Sequence, residues 1–342
     1  MHKTLIGNQS RVAVVILNWN GWKDTIECLE SLQQVTYPPF QILVVDNGST
    51  DDSVKKILMW ARSRFKGYST FLKYNIQSKL IEENGGIGEE KSLVIIRSKE
   101  NLGYAGGNNI GIRYALKHKA DYVLILNNDT VVAPDFFEQL LKVALTEENI
   151  GILGPKSYFY SEPNVIQSCG CKMNLWTGRG KLIGNCEVDY GQYNRIMEVD
   201  WVSGAAMLIK NEVFRKVGLL DEAFYLCYEE NDFCHRARRS GFTILAVPQA
   251  KIWHKAVRTS IKPIMEYYLV RNRLLFMKKN APIMRFFFFF YCYILGTSVR
   301  LISYLFAKNK KSIRAILIGL LHGFFLLTDK KKNFNDYGVH HF

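Results

Sequence analysis

The sequence predicts an α/β chain built on a central sheet and closed by a helical, apolar and basic C-terminal region. Three observations predict it. Apolar runs at Val12 to Leu17, Gln41 to Val45 and Tyr122 to Leu126 lack polar alternation, as strands buried on both faces do. Each stops on a polar residue, Asn18, Asp46 or Asn127, and segments of helical spacing lie between them. Residues 262–342 carry 14 Lys and Arg against 3 acidic residues, which is +11 of the formal +14, and the two most apolar stretches lie there: Phe286 to Ala307 and Ala315 to Thr328.

A length of 342 residues bounds the chain to one large domain with an appendage, or two domains. With 48% hydrophobic and 22% charged residues the composition is globular, which excludes a disordered chain. The basic tail is interleaved with Phe, Leu and Ile, so an anionic membrane surface suits it better than nucleic acid. A phosphate-binding face has no use for Phe286 to Phe290. The seven cysteines form no CxxC pair, and Cys169, Cys171 and Cys186 lack a fourth ligand at zinc spacing. Reduced thiols and a cytoplasmic compartment are therefore expected. No signal peptide is read, since the first apolar run ends at Asn18.

In order, strand Arg11 to Leu17 leads through the turn Asn18-Trp-Asn-Gly21 to a helix over Asp24 to Gln33, with Ile26, Leu29 and Leu32 on one side. Tyr37, Pro38 and Pro39 break the chain before strand Gln41 to Val45. Ser49 or Thr50 is expected to cap the next helix, with Asp51 and Asp52 in its first turn. This alternation opens a nucleotide-binding α/β fold. Residues 61–91 read as a surface insertion without chemistry. Strand Leu93 to Arg97 leads to the glycines at 103, 106 and 107, where a helix from about Gly107 to His118 would turn free N–H groups toward an anion. After strand Tyr122 to Leu126, a helix follows Pro134 and a short strand spans Ile150 to Pro155. Lys156 to Val199 is loop-rich and suits a second substrate, and a buried strand ends at Ile209. A helix over Glu229 to Ser240 starts with acids and ends with Arg236, Arg238 and Arg239, as its dipole favours, and strand Thr243 to Val247 follows.

Groups just beyond the carboxyl ends of buried strands face the ligand crevice of an open sheet. Asn127-Asn128-Asp129 is an oxygen-rich site suited to Mg²⁺ or Mn²⁺, or alternatively a polar strand end before Pro134. Asp46 would accept hydrogen bonds from a base or ribose, or serve the turn with Asn47 and Gly48. Glu229 and Glu230 offer a general base at a helix start, or only complement the dipole. Trp201 would stack on a sugar or sit in the core, and His254 would be a metal ligand or a hydrogen-bonded structural residue.

Taken together, Val14-Val-Ile-Leu-Asn-Trp-Asn-Gly21, Val44-Val-Asp-Asn-Gly-Ser-Thr-Asp51, Glu100 to Asn109, Leu124-Ile-Leu-Asn-Asn-Asp129, Trp201-Val-Ser-Gly-Ala205, Tyr228-Glu-Glu-Asn-Asp232 and Trp253-His-Lys255 resemble glycosyltransferase family 2, the inverting GT-A enzymes, and its rhamnosyltransferase-like members. The pieces fall in the family's order across residues 11 to 280. The resemblance implies a GT-A, Rossmann-like domain with a mixed central sheet over residues 1–260. Its donor half would be 11–132 and its acceptor half 150–260, with 261–342 a membrane-associated tail. It implies a dTDP- or UDP-sugar donor, dTDP-rhamnose among them, held by Asn18, Asp46, Asn47, Asn101, Gly103 and Asn128. Asp129 and His254 would hold Mg²⁺ or Mn²⁺, with Asn127 in place of the first Asp of an Asp-x-Asp pair. Glu230 stands where the family's base is usually Asp, with Glu229 beside it, and Trp201 and Asp232 would face the acceptor.

The implied reaction is one displacement with inversion, adding a single sugar to a lipid-linked or glycan hydroxyl at the cytoplasmic face of the membrane. No Gln-x-x-Arg-Trp motif follows the base, which argues against polymerisation. Phe286 to Ala307 is long enough to span, about 20 apolar residues being needed, and Arg300 favours an in-plane helix or shallow hairpin over one true span. A noncatalytic sugar-nucleotide-binding or scaffold protein on the same fold is the alternative. A nucleotidyltransferase would want a Gly-rich, Lys-bearing N-terminal signature that Asn18-Trp-Asn-Gly21 does not supply.

Overall fold

The computed structural model describes residues 10–36, 40–64, 69–82, 93–256 and 263–328. The break at Tyr37, Pro38 and Pro39 and the segments 83–92 and 329–342 lie outside the described residues.

The chain opens with β1 (Val12–Asn18), α1 (Trp22–Gln33), β2 (Gln41–Asn47) and α2 (Ser53–Arg64). In β1, Val12, Val14 and Ile16 enter the core on one face and Ala13 and Val15 the core on the other, so no position is left for a polar residue. Asp51, not Ser49 or Thr50, starts α2: its Oδ1 accepts from the Ser53 N–H at 2.9 Å, while Ser49 is drawn toward Asn18.

Within residues 61–91, the described residues 61–64 and 69–82 form regular structure. They finish α2 and supply β3 (Ser69–Asn75) and β4 (Leu80–Glu82), and β3 pairs in parallel with β5 (Leu93–Ser98). Leu72 and Tyr74 of β3 are turned into the core. The polar residues between them mask the strand, as one-sided burial does.

Next come α3 (Gly103–Lys117), β6 (Tyr122–Asn127), β7 (Thr130–Val132), α4 (Phe136–Ala144), β8 (Ile150–Phe159) and β9 (Glu162–Ser168). They are followed by β10 (Cys171–Asn174), β11 (Arg179–Leu182), β12 (Met197–Glu198), β13 (Ala206–Lys210), α5 (Asn211–Val217), α6 (Glu229–Arg239) and β14 (Thr243–His254). Among the described residues the main sheet runs β12-β14-β8-β13-β6-β1-β2-β5-β3-β4, with β7 on β14 and β9 on β8. It is mixed, parallel through β6, β1, β2, β5 and β3 and antiparallel where β13 joins β6 and β8. α1, α2 and α4 cover one face, and α3, α5 and α6 the other.

Register places the site. Asn18 pairs with Asp46 across β1 and β2, and Leu17 with Asn127 across β1 and β6, so three polar strand ends lie side by side. On the far side β14 carries His254 to a position opposite Thr130, next to Asp129.

The C-terminal helices are α7 (Pro263–Asn280), α8 (Ile283–Phe306) and α9 (Lys310–Leu327). Expected as tail, α7 is instead packed on every side, with Tyr267, Arg271, Asn272, Leu274, Phe276 and Met277 all buried. It has no amphipathic stripe because it has no solvent face. α9 lies against it through small residues: a Cβ on Gly319 would come within 2.8 Å of the Tyr267 carbonyl oxygen. α8 differs, exposing Phe287, Phe288, Tyr291, Leu295, Val299 and Ile302. Arg300 turns inward to the buried Glu266 of α7, so it places no charge on that outer face.

Close approach of α3 to the sheet depends on glycine. A Cβ on Gly111 would lie 2.5 Å from Val15 Cγ1 and 3.1 Å from Val45 Cγ2. Gly111→Ala is expected to lower the thermal unfolding midpoint, the overpacking costing roughly 1–3 kcal/mol. An unchanged midpoint would mean that α3 is free to lift off the sheet.

Candidate functional site

Two cavities flank the turn over residues 225–228, which lends residues to both linings. The first, of about 470 Å³, is lined by Trp19, Asn47, Asn101, Gly103, Tyr104 and Asn128 together with Asp129 and, from outside the expected donor half, Tyr225 and Tyr268.

Beneath it Asn18 and Asp46 are fully buried. The Asn18 amide donates to Asp46 Oδ1 at 2.9 Å and Ser49 Oγ at 3.1 Å and accepts from Thr25 Oγ1 at 2.9 Å. Asn18 is thus fully engaged in orienting Asp46 rather than exposed to a ligand. Asn47 donates to Asn101 Oδ1 and to the Gly103 carbonyl and accepts from Leu102 N–H, which fixes the glycine loop. Gly48 (φ +73) and Gly103 (φ +72) hold left-handed backbone here, and a Cβ on Gly48 would strike the Glu100 backbone at 2.6 Å. The Asn128 amide donates to Thr25 Oγ1 at 3.0 Å and faces the cavity.

One expectation is corrected. α3 begins at Gly103, not Gly107, and its leading N–H groups are not free for an anion. Gly103 donates to Asn101 Oδ1, and Tyr104 and Ala105 both donate to the Tyr225 carbonyl. The glycines at 106 and 107 lie inside the helix, where Gly107 lets it approach Leu17 and Asn47.

Asp129 and His254 meet at 3.1 Å between Oδ1 and Nε2, with the Asn127 amide 3.4 Å from the same ring nitrogen. His254 Nδ1 lies 3.0 Å from Gln167 Oε1, so the ring is held between that amide oxygen and Asp129. Burial works to raise the Asp129 pKa, but the hydrogen bond and charge of His254, with Lys255 behind, hold it below the usual carboxylate range. Lys255 is itself raised to about 12, since its bonds to Asp24 and Glu27 outweigh its desolvation. Among the described residues no group of three or more His, Cys, Asp or Glu converges to hold a metal. An ionised carboxylate and an imidazole turned to one point fit a hard divalent cation that takes most of its oxygens from substrate and water.

The second cavity, of about 700 Å³, lies between β11, α6, α7 and α8 and is lined by Glu230, Asn231, Trp201, Arg179, Arg273 and Arg300, among others. Trp201 forms its wall, with the indole over Gly180. Glu229 and Glu230 open α6, and each leaves Oε2 buried without a hydrogen-bond partner. Burial and then the charge of Glu230 push Glu229 well above its ordinary value of 4.5, and burial raises Glu230 while the hydrogen bond from Glu229 restrains it. Both carboxyls are thus raised, Glu229 the more strongly, as neighbouring acids buried together are. Tyr104 links the two cavities electrostatically: burial, then Glu229, Glu230 and Asp129, push its phenol upward.

Asp232, expected at the acceptor, is fully buried and bonded to Arg236 Nε of its own helix at 2.7 Å, while Lys279 Nζ at 3.0 Å and Asn280 Nδ2 at 3.1 Å tie it to the end of α7.

What sequence reasoning missed is the support of the turn before α6. Tyr225, Cys227 and Tyr228 all have positive φ, an uncommon state for such side chains. Asn272 of α7, fully buried, donates to the carbonyls of Phe224, Leu226 and Cys227 at 2.7–2.8 Å, and Arg271 adds bonds to those of Ala223 and Phe224. The signal was Arg271-Asn-Arg273 set between Tyr267–Val270 and Leu274–Met277, where burial of the helix demands partners for polar groups.

Comparison with known proteins agrees with this geometry. The family model "Glycosyl transferase family 2" matches residues 13–190 and "Glycosyl transferase family group 2" matches residues 122–325. The low-salt glycan biosynthesis hexosyltransferase Agl10 of Haloferax volcanii is 28% identical over 305 residues, covering 85% of this chain and 93% of the relative. The N-acetylglucosaminyl-diphospho-decaprenol L-rhamnosyltransferase of Mycobacterium tuberculosis is 25% identical over 254 residues, 69% of this chain and 73% of the relative. The mannosyltransferase PcManGT of Pyrobaculum calidifontis, solved with GDP-Man and Mn²⁺, superposes with a TM-score of 0.54 at 15% identity over 95% of this chain and 89% of its own. That likeness shows the shared α/β, GT-A-like fold.

A carboxyl whose folded pKa lies above its unfolded one destabilises the fold increasingly as pH climbs from about 4.5 to the folded value. Glu229→Gln, which keeps a donor toward Glu230, is expected to raise the thermal midpoint at about pH 8 and to leave it near wild type at about pH 4. A lower midpoint at the higher pH would contradict the assignment. Asn272→Ala is expected to lower stability by about 1–3 kcal/mol for each carbonyl left without a donor and to speed amide exchange across 224–230 but not in β1 or β2. Uniform exchange through both regions would show that Asn272 does not act on the turn.

Proposed function

Since the chain belongs to glycosyl transferase family 2, we propose that it moves one sugar from a dTDP- or UDP-sugar, dTDP-rhamnose among them, to a hydroxyl of a lipid-linked acceptor, with inversion at the anomeric carbon. The observation that carries the reading is the buried Glu230 Oε2, without a donor, in the wall of a cavity beside the one that holds Asp129.

Asp46, oriented by Asn18, takes the base or ribose, while Asn47, Asn101 and Gly103 shape the cradle and Asn128 with Asp129 faces the diphosphate. A divalent cation, Mg²⁺ or Mn²⁺, held by Asp129 and His254 would offset the charge that gathers on the leaving diphosphate. Glu230 accepts a proton from the acceptor hydroxyl as that oxygen attacks. The raised pKa brings the base nearer working pH. Trp201 supplies the flat wall for the acceptor sugar. Tyr228, whose hydroxyl donates to the Gly178 carbonyl at 2.8 Å, stands with Glu230 in the lining of that cavity.

The outer face of α8, of which only 17% of the most apolar window is buried, and the basic charge beside it support a monotopic or peripheral place on the cytoplasmic face of the membrane. The relative named for a diphospho-decaprenol acceptor supports a lipid carrier for the acceptor here as well.

Nucleoside diphosphate release by the purified chain, across dTDP-, UDP- and GDP-sugars with membrane lipid extract, tests the reading. Glu230→Gln is expected to reduce turnover by roughly a hundred- to ten-thousandfold with donor binding retained, and Asp129→Ala to remove stimulation by metal. Full turnover in Glu230→Gln would reject it as the base. Donor binding without turnover in the wild type, acceptor present, would favour the noncatalytic alternative.

A further inference from the structure

The second cavity holds more than the reaction uses. Arg179 from β11, Arg273 from α7 and Arg300 from α8 reach it from three directions. Arg300 is spoken for by Glu266. Arg273 stacks over Phe289 and Tyr293, with ring centroids 5.5 and 5.4 Å from its guanidinium carbon, and donates only to the Thr177 carbonyl. Arg179 has neither an ion pair nor a side-chain hydrogen bond among the described residues, and its Nη2 lies 3.5 Å from where a Cβ on Gly296 would sit. Burial first, and then repulsion from Arg179 and Arg300, lowers the Arg273 pKa, as expected of guanidinium groups crowded without enough counter-charge. Glu230 is the one acid among the residues of that lining, and its raised pKa limits the charge it can offset.

The rim of this cavity is apolar. Tyr293, Gly296, Thr297, Val299 and Arg300 place one side of α8 in the lining, and Val299, 67% exposed, continues into the outer face with Leu295 and Ile302. A cationic interior that opens onto an uncovered apolar helix has the polarity of an anionic lipid, headgroup inward and chain along the helix.

We propose that this cavity seats the phosphoryl group of the lipid-linked acceptor, with Arg179 and Arg273 as its contacts and the Val299 side of α8 as the exit for the lipid chain. The proposal rests on the transferase reading. It fixes the direction of the acceptor: phosphoryl group toward α8, sugar hydroxyl toward Glu230. A free phosphate compound offers the same headgroup chemistry without the chain, and the test separates the two.

The full chain is titrated with farnesyl diphosphate, inorganic diphosphate and farnesol by calorimetry. Farnesyl diphosphate is expected to bind at least about tenfold more tightly than either fragment. Arg179→Ala should weaken it about tenfold or more, with Arg179→Lys recovering part of the loss. Val299→Asp, on the exposed rim, should weaken farnesyl diphosphate and leave inorganic diphosphate unchanged. Equal binding of inorganic diphosphate would make this a free-phosphate site, equal binding of farnesol a plain apolar groove, and indifference to Arg179→Ala would remove the arginines. Each of these overturns the proposal. Binding as described without any sugar transfer would sink the transferase reading and leave the site standing. Transfer to a soluble acceptor with no farnesyl diphosphate bound would do the reverse.

Discussion

The site depends on one buried amide. Asn272 spreads its two hydrogens over the carbonyls of Phe224, Leu226 and Cys227, and so holds a turn in which Tyr225, Cys227 and Tyr228 take left-handed backbone. Each such residue costs on the order of 1–3 kcal/mol and persists only when its surroundings over-determine it. The turn gives Tyr225 and Leu226 to one cavity and Cys227 and Tyr228 to the other. Its Tyr225 carbonyl also receives the first N–H groups of α3. The glycine loop, the start of α6 and α7 are thereby tied to one strained segment.

Around it, acids of one chemical type are held in opposite states. Asp129 sits beside His254 and Lys255 and stays ionised despite burial. Glu229 and Glu230 are buried side by side, and both are pushed upward, Glu229 the more strongly. A group that must meet a cation or diphosphate and a group that must receive a proton need these different settings. The mixed sheet provides them by ending β6 and β14 at one point while α6 starts at another.

The strands buried on both faces, and the residues at their ends, were legible in the sequence because nothing but a continuous apolar run satisfies two cores. The Asp129–His254 meeting followed from the resemblance and not from local pattern, since β14 runs from Thr243 to His254 through an irregularity after Val247 that a sequence pattern hides. β3 was not legible, because one covered face leaves Leu72 and Tyr74 as its signal. The ties of Asp232 were hidden for a different reason. An acid in a motif and an acid paired with Arg236 and Lys279 look alike until the partners are placed. The role of α7 was hidden by its setting beside α8: both are apolar, but one owes it to burial inside protein and the other to a face left bare.

α7 therefore sets where the molecule divides, and the division falls inside the C-terminal region instead of before it. A version ending after β14 would retain Asp46, Asn47, Asn101, Asp129 and His254 with their strands. It would lose Asn272, Arg271, the Lys279 and Asn280 bonds to Asp232, the α7 and α8 walls of the second cavity, and Tyr268 from the first. On the functional reading given above, such a truncated molecule keeps its grip on the nucleotide and forfeits the means to act on it. Removing the greasy C-terminus to gain a soluble enzyme would then yield a receptor.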